Sequence, residues 1–257
     1  YIENSTFYGC EALTGIEIPD NITSIGRSAF ENSGLTSIEI PGSVKVIESS
    51  AFSYCPLETL TIENGVQTIG DSAFAYTALK TLSLPDSVTL IGDNAFLGCE
   101  NLASVDLPDT DVSLGAHALD GTSWFNSQPE GVVYTDRVLY RQKGDILTDT
   151  TVTVNDGTLA IADHAFKDGG PSASGAAGAD YNLAGLTGVH LPEGLLRIGD
   201  NAFAGCQNLR TINLPDSIHT IEEKTFDGCS SLAEIELPAS VTEVAYRTFA
   251  GCTSLSR

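Results

Sequence analysis

Hydrophobic and polar positions alternate along this chain in a pattern that returns every 22 or 23 residues. Phenylalanine marks the pattern most clearly, because nine of the ten phenylalanines fall on one position of the repeat. The marker positions are Phe7, Phe30, Phe52, Phe74, Phe96, Leu119, Phe166, Phe203, Phe226 and Phe249. A period of about 20–50 residues is typical of solenoid proteins, in which each repeat packs only on its neighbours. We therefore predict a solenoid with a coil at each of these ten positions.

Each repeat contains two short hydrophobic segments that predict strands. In residues 79–84 (LKTLSL) the last hydrophobic positions alternate with polar ones, which indicates a strand with one buried face. Pro85 follows, and proline ends a strand because it has no backbone N–H to donate. Residues 88–91 (VTLI) predict a second strand, since valine and isoleucine favour extended backbone. Residues 94–99 (NAFLGC) then predict one helical turn.

Two steps between marker positions are longer than the others and predict insertions. The step from Leu119 to Phe166 measures 47 residues and places one insertion at about 119–150. Within it, residues 131–144 (GVVYTDRVLYRQKG) alternate about a central Thr-Asp pair and predict a β-hairpin. The next step measures 37 residues and places a second insertion at about 168–182, where small residues predict a flexible linker.

The regular repeats follow the pattern LxxIxLPxSVTxIGxxAFxxCxxL. This pattern resembles the leucine-rich repeats of the BspA-like, or Treponema pallidum, type over nearly the whole chain. The resemblance implies a leucine-rich-repeat solenoid of the α/β horseshoe type, dominated by strands with short helical turns, whose first strands line a concave face. It also implies a bacterial protein that is secreted or held at the cell surface, often with an adhesive role. Leu119 at a phenylalanine position, and Glu63 and Asn155 at proline positions, depart from the pattern without contradicting it.

The charge of the chain narrows the range of partners. With 34 acidic and 12 basic residues the net charge is −22, which repels a phosphate backbone and argues against nucleic acid as a partner. The sequence has no run of about 18 apolar residues, so we predict no membrane insertion in this segment. Because it begins at Tyr1 and contains no methionine, we interpret residues 1–257 as a single repeat domain of a longer chain.

The cysteines follow the repeat as well. Each lies three residues after a marker phenylalanine, at a position that Ser33 and Thr77 occupy in other repeats. Because free cysteine behaves as a small hydrophobe, we predict six buried free thiols rather than disulfides. The six are Cys10, Cys55, Cys99, Cys206, Cys229 and Cys252.

The sequence lacks the common motifs for catalysis and cofactor binding. It contains no phosphate-binding Walker loop, no GxSxG nucleophile motif and no HExxH zinc motif. We therefore predict a protein that is not an enzyme, with no catalytic residues, no cofactor and no bound metal, and we expect no hydrolase activity.

The hairpin is the first of two candidate binding surfaces. Arg137, Arg141 and Lys143 reverse the local charge of an otherwise acidic chain. Tyr134 and Tyr140 lie among them, and arginine and tyrosine side chains are enriched in binding hot spots. We predict that the outer face of the hairpin binds an acidic protein or a glycan.

An aromatic pair precedes the hairpin and has a structural interpretation. Leu119 is smaller than the phenylalanine it replaces, which leaves a gap in the predicted core. Trp124 or Phe125, five and six residues later, can fill this gap. We expect Trp124 to pack inward while the hairpin binds.

The concave strand face is the alternative binding surface. Its outward positions are small, polar or acidic, and none of them is aromatic or arginine. Since hot spots favour tryptophan, tyrosine and arginine, this face is either a weak polar groove or a solvated sheet. Its candidate residues are Glu17, Glu39, Asp106, His190, Asn213 and Glu236.

These observations predict a non-catalytic, protein- or glycan-binding repeat scaffold with a role in adhesion or recognition, located outside the cell. Two alternatives stay open. The chain is a structural stalk in the first, and in the second it is the accessory, non-catalytic region of a larger secreted enzyme.

Overall fold

The structure, a computed structural model, describes residues 1–169 and 180–256. The chain forms two compact units, Tyr1–Gln128 and Pro129–Arg257, and the boundary between them falls inside the first predicted insertion. The linker predicted in the second insertion lies for the most part outside the described residues. The single domain predicted from the repeat stays a prediction.

The first unit stacks parallel strands in two ladders. Its elements, in chain order, are β1 (Ser24–Ile25), β2 (Ser37–Ile40), β3 (Val46–Ile47), β4 (Thr59–Ile62), β5 (Thr68–Ile69), β6 (Thr81–Ser83), β7 (Leu90–Ile91), β8 (Ser104–Asp106), β9 (Ser113–Leu114) and α1 (Ser123–Ser127). The second strands of successive coils pair into one five-stranded sheet, β1-β3-β5-β7-β9. The first strands pair as β2 with β4 and as β6 with β8.

The second unit has the same two ladders, with a hairpin at one edge. Its strands, in chain order, are β10 (Gly131–Thr135), β11 (Val138–Lys143), β12 (Thr150–Thr153), β13 (Ala160–Ile161), β14 (Leu186–His190), β15 (Arg197–Ile198), β16 (Thr211–Ile212) and β17 (Thr220–Ile221). One sheet has the order β10-β11-β13-β15-β17, in which β10 and β11 are antiparallel and the other pairs parallel. The first strands β12, β14 and β16 form a parallel sheet of their own.

These ladders confirm the predicted leucine-rich-repeat solenoid, which is dominated by strands and has almost no helix. The described residues form about eight turns, slightly fewer than the ten coils predicted. The difference arises at the two ends, because residues 3–23 and 222–256 form turns and extended segments without named strands.

Tight turns surround each marker position, where the sequence predicts a helical turn. The residue two positions before every marker has a φ between 52° and 58°. A left-handed residue does not continue a right-handed helix, so these segments are tight turns closed by bonds such as that from the N–H of Leu97 to the carbonyl oxygen of Asn94. These residues are Ser5, Ser28, Ser50, Ser72, Asn94, His117, His164, Asn201, Lys224 and Arg247.

The motif IGDNAF, found at residues 91–96 and again at 198–203, is explained by contacts between coils. A Cβ at Gly92 would lie 2.7 Å from a backbone nitrogen of the preceding coil, so only glycine permits this approach. Oδ1 of Asp93 accepts the N–H of Ala116 in the following coil at 2.8 Å. The motif recurs because these coils need the same close approach and the same hydrogen-bond acceptor.

Stacked phenylalanines form the centre of the core in each unit. In the first unit the ring centroids of successive markers, from Phe7 to Phe96, lie 4.9–5.5 Å apart. In the second unit Phe203 is fully buried between Phe166 at 5.2 Å and Phe226 at 5.5 Å. The predicted burial of Phe203 between its two neighbours is confirmed.

The cysteine position supplies a hydrogen-bond donor to the neighbouring coil. Sγ of Cys99 donates to the carbonyl oxygen of Phe74 at 3.2 Å, and Sγ of Cys206 donates to that of Phe166 at 3.0 Å. The same bond is made by Cys55, Cys229 and Cys252. All six cysteines are free thiols in the structure, but only four are buried as predicted, since Cys10 is exposed and Cys252 is half-buried. Thr77 at the same position is also a small donor, but its Oγ1 donates to the carbonyl oxygen of Phe74 in its own coil at 3.0 Å.

We expect the six thiols to differ in reactivity. Burial raises the pKa of the thiols of Cys55, Cys99, Cys206, Cys229 and Cys252 above the ordinary value. Because the thiolate is the reactive form, a maleimide should modify Cys10 first in the native chain and all six thiols after denaturation. Mass spectrometry after brief labelling measures this, and Cys10→Ser should remove the fast reaction. Two or more paired cysteines in freshly purified, unreduced protein would contradict the prediction of free thiols.

Candidate functional site

The predicted hairpin is present, but it does not project from the fold. β10 and β11 are joined by a turn at Asp136 and Arg137. β11 also pairs in parallel with β13, so this strand lies inside the sheet of the second unit. The placement buries Tyr140 and Arg141, which are 1% and 3% exposed. Two of the five residues expected on the outer binding face are therefore not at the surface, and binding by the hairpin stays a prediction.

Arg141 has partners within the second unit. Its Nη2 lies 3.2 Å from Oδ1 of Asp180, and its guanidinium carbon lies 5.4 Å from the centre of the Tyr181 ring. Nζ of Lys167 lies 3.1 Å from Oδ2 of Asp180. A β-bridge between Asp168 and Tyr181 joins the described ends of the second insertion. Arg141 therefore holds the described end of this insertion at Asp180 and Tyr181.

The other three hairpin candidates reach the surface to different degrees. Arg137 is exposed, and its Nε donates to the carbonyl oxygen of Gly157 at 3.2 Å. Tyr134 is half-buried, and its hydroxyl oxygen accepts the N–H of Asn155 at 3.1 Å. Burial raises the pKa of the Tyr134 hydroxyl. Lys143 is half-buried. Of the five residues predicted to form a binding patch, Arg137 alone is exposed.

The aromatic pair of the first insertion belongs to α1. Thr122 caps this helix, since its Oγ1 accepts the N–H of Phe125 at 3.0 Å. Phe125 is buried, whereas Trp124 is half-buried. The helix therefore turns Phe125 into the core, which is the role expected of Trp124.

The strand face of the first unit carries an acidic groove of about 580 Å³. Glu17 and Glu39 of the alternative candidate set line this groove together with Asp20 and Glu63. The carboxylate of Glu63 also accepts the N–H of Gly42 at 3.0 Å. Among the described residues that line the groove there is no lysine or arginine, so its four carboxylates make it strongly negative. We call this space the acidic groove.

The strand face of the second unit carries a groove of about 680 Å³. Asn213 and Glu236 line it with Asp216 and Glu234. The side chain of Asn213 is hydrogen-bonded to the backbone of the neighbouring coil. It accepts the N–H of Leu191 at 2.9 Å and donates to the carbonyl oxygen of Leu191 at 3.1 Å. Three carboxylates are thus left for binding in this second groove.

The last two alternative candidates lie on strands of different units. Asp106 is exposed on β8 and accepts a hydrogen bond from Oγ of Ser83 at 2.9 Å. His190 is exposed at the end of β14, in register with Thr153 of β12. The structure groups Glu17 with Glu39 in one groove and Asn213 with Glu236 in the other.

A pair of exposed tyrosines is a feature that the sequence reasoning missed. The rings of Tyr54 and Tyr76 stack with centroids 4.8 Å apart and an interplanar angle of 11°. They line a cavity of about 390 Å³ on the turn side of the first unit. Alignment of the repeats could have found them, because both lie two residues after a marker, where most coils have glycine.

The chemistry available at these surfaces is electrostatic and aromatic recognition. The carboxylates of the grooves attract positively charged segments of a partner, and the stacked tyrosines offer rigid amphipathic contact area. Of the helices in the described part of the chain, none has the length and apolar character that a membrane span requires.

Comparisons with known proteins agree with the repeat architecture. The profile of the BspA type leucine rich repeat region matches six copies over residues 1–125 and 178–257. No curated protein matches the chain significantly. A leucine-rich repeat protein from Bacteroides ovatus is 28% identical with a TM-score of 0.50, and the match covers 99% of this chain and 68% of that chain.

Two further solved structures are similar to the chain at lower sequence identity. The pneumococcal vaccine antigen PcpA is 22% identical with a TM-score of 0.42, over 94% of this chain and 69% of that chain. A leucine rich cell surface protein from Faecalibacterium prausnitzii is 24% identical with a TM-score of 0.41, over 99% and 75% of the two chains.

Proposed function

Because the chain belongs to the family of BspA-type leucine-rich-repeat proteins, we propose that it is a non-catalytic recognition scaffold that binds a partner protein. The family consists of repeat proteins without enzymatic activity, and leucine-rich repeats are generally scaffolds for protein interactions. The chain uses its fold to hold side chains of successive coils in regular rows. Function then depends on which rows are exposed.

The acidic groove of the first unit is the observation that carries this proposal. Its four carboxylates come from adjacent coils, and Glu39 lies in register with Thr61 across β2 and β4. Glu39 lies on β2, and the carboxylate of Glu63 is held by the N–H of Gly42, so a partner finds part of this charge already arranged. A basic segment of a partner protein complements this surface, and the net charge of −22 accelerates its approach. Burial of Tyr140 and Arg141 favours this surface over the hairpin.

We further propose an extracellular setting, at the bacterial cell surface or after secretion, with a role in adhesion. The support is the likeness of the repeats to the BspA type. A glycan partner is the second candidate ligand, because exposed hydroxyl and carboxylate groups such as Thr61 and Glu39 can also bind sugars. A structural stalk and an accessory region of a larger secreted enzyme are the alternatives that the experiment must separate.

A binding screen tests the proposed recognition role. The purified chain is tested against immobilised matrix proteins, basic and acidic peptides, and an array of neutral and charged glycans. We expect binding to a protein with a basic segment, weakened by salt. Glu17→Gln together with Glu39→Gln should weaken this binding by about tenfold, since each exposed ion pair contributes about 0.2–1 kcal/mol.

The matched control replaces two exposed glutamates outside the groove, Glu3→Gln and Glu48→Gln. This variant has the same net charge as the groove variant, and we expect it to bind as the original chain does. Equal losses of binding affinity in both variants would show that the interaction is non-specific electrostatic attraction. Absence of any binder in the screen would favour the stalk or the accessory region.

A further inference from the structure

Tyr54 and Tyr76 occupy a backbone position that is unfavourable for a bulky side chain. Their φ angles are 59° and 58°, in the left-handed region that large L-residues rarely adopt. Six other coils have glycine at this position, where the same conformation is free of strain: Gly9, Gly98, Gly121, Gly205, Gly228 and Gly251. The backbone thus requires no side chain at this position, and two adjacent coils nevertheless place a tyrosine ring there on one surface.

The tyrosine rings form an exposed wall along three coils. Tyr54 is 53% exposed and Tyr76 is 47% exposed, although the two rings stack on each other. The ring of Tyr76 lies over Gly98, where a Cβ would come within 2.6 Å of two ring atoms. Glycine in the third coil therefore makes room for the stack, and the wall depends on residues from all three coils.

A trough runs beside this wall, which we call the tyrosine trough. Tyr54 and Tyr76 form one side, and Pro56 and Ala78 lie among the residues that complete its apolar lining. Glu100 also lines the trough and brings an exposed carboxylate to it. Its volume is about 390 Å³. The trough thus combines an aromatic surface, an apolar lining and a negative charge.

This combination matches a long basic side chain. Arginine buries its aliphatic stem against apolar surface while its charged head stays near water. Its planar guanidinium stacks on aromatic rings and pairs with a carboxylate, which a compact lysine ammonium does less well. We propose that the tyrosine trough binds an arginine side chain of a partner protein, with the guanidinium paired to Glu100. The proposal rests on the proposed function in one respect, that the partner is a protein.

The test is a titration observed through the tyrosine rings. The chain is labelled with ¹³C in its tyrosine rings and titrated with N-acetyl-arginine amide, while NMR records the ring signals. N-acetyl-citrulline amide, which has a similar shape without the charge, is the matched probe. We expect the signals of Tyr54 and Tyr76 to shift with the arginine probe and to stay in place with citrulline. Glu100→Gln should reduce the shift.

Variants at the strained position separate binding from folding. Tyr76→Gly and Tyr54→Gly remove a ring and also relieve the left-handed strain, so we expect the melting temperature to change by less than about 2 °C. Each should abolish the response of the remaining tyrosine to arginine. Asn32→Gly, at the same backbone position of a neighbouring coil, is the control and should leave the response unchanged.

Three results would overturn the proposal. Equal shifts of the tyrosine signals with the citrulline and arginine probes would show that charge plays no part in binding. If the disaccharide cellobiose shifted these signals and the arginine probe did not, the trough would be a glycan site. If the arginine probe did not shift the tyrosine signals and Tyr76→Gly strongly lowered the melting temperature, the role of the stacked rings would be structural only. The acidic-groove variant, Glu17→Gln with Glu39→Gln, should keep the full tyrosine response. The two surfaces can therefore fail independently.

Discussion

Replacing Phe203 by alanine should lower the free energy of unfolding by about 3–5 kcal/mol. The ring is fully buried and stacks on Phe166 and Phe226, so its removal leaves a cavity that neighbouring coils cannot close. The rigid repeat spacing prevents collapse, because moving one coil would break its strand pairing with the next. Urea unfolding followed by circular dichroism measures the loss.

Phe249→Ala is the matched control for this prediction. Phe249 is also a marker residue, but it is partly exposed and stacks on Phe226 at 5.5 Å in the last coil of the structure. We expect a clearly smaller loss, since less apolar surface leaves water when this coil folds. An unchanged unfolding midpoint for Phe203→Ala, or equal losses for both variants, would show that the assigned repeat register is wrong.

Replacing Tyr140 by alanine should also destabilise the chain, by about 3–5 kcal/mol. Tyr140 is 1% exposed on β11, which the sheet of the second unit encloses between β10 and β13. From the sequence alone, this residue would be expected to bind a partner and to tolerate replacement. Thermal and urea unfolding of the purified variant distinguish the two interpretations.

Two other hairpin substitutions make this test specific. Arg137→Ala changes an exposed side chain and should alter stability by less than about 0.5 kcal/mol. Tyr140→Phe keeps the ring and should retain most of the stability that alanine loses. If Tyr140→Ala instead kept full stability and lost binding to a partner found in the screen, the hairpin would be the binding site.

The position of a residue within the repeat predicted most of the fold, because equivalent residues in successive coils of a solenoid have the same surroundings. Phe203 could be placed in the core from its spacing to Phe166 and Phe226, without knowledge of the rest of the chain. The end of the strand at Pro85 followed from the missing N–H, which is a local property. The cysteine position was recognised as small and weakly polar by comparing Cys99 with Thr77.

Candidate binding residues were harder to predict, because the exposure of a side chain in an insertion depends on how its strand pairs with strands elsewhere in the chain. The alternation of residues 131–144 predicted a hairpin correctly, yet alternation does not reveal whether both faces are covered. Pairing of β11 with β13 covers Tyr140 and Arg141, and this contact joins segments separated by a loop and another strand. Charge and aromatic content suggested a surface patch, but the fold uses Arg141 to hold Asp180.

The sequence by itself determined the repeat, its strands and its core, because each of these depends on interactions repeated from coil to coil. Only the tertiary structure decided the left-handed turns, which depend on backbone angles that Asn94 and His117 share without resembling each other. It also revealed the hydrogen bond of the cysteine thiols, since the acceptor is the carbonyl oxygen of another coil. Finally, it brought Tyr54, Tyr76 and Glu100 to one trough, because stacking turns a distance of 22 residues along the chain into contact between neighbours.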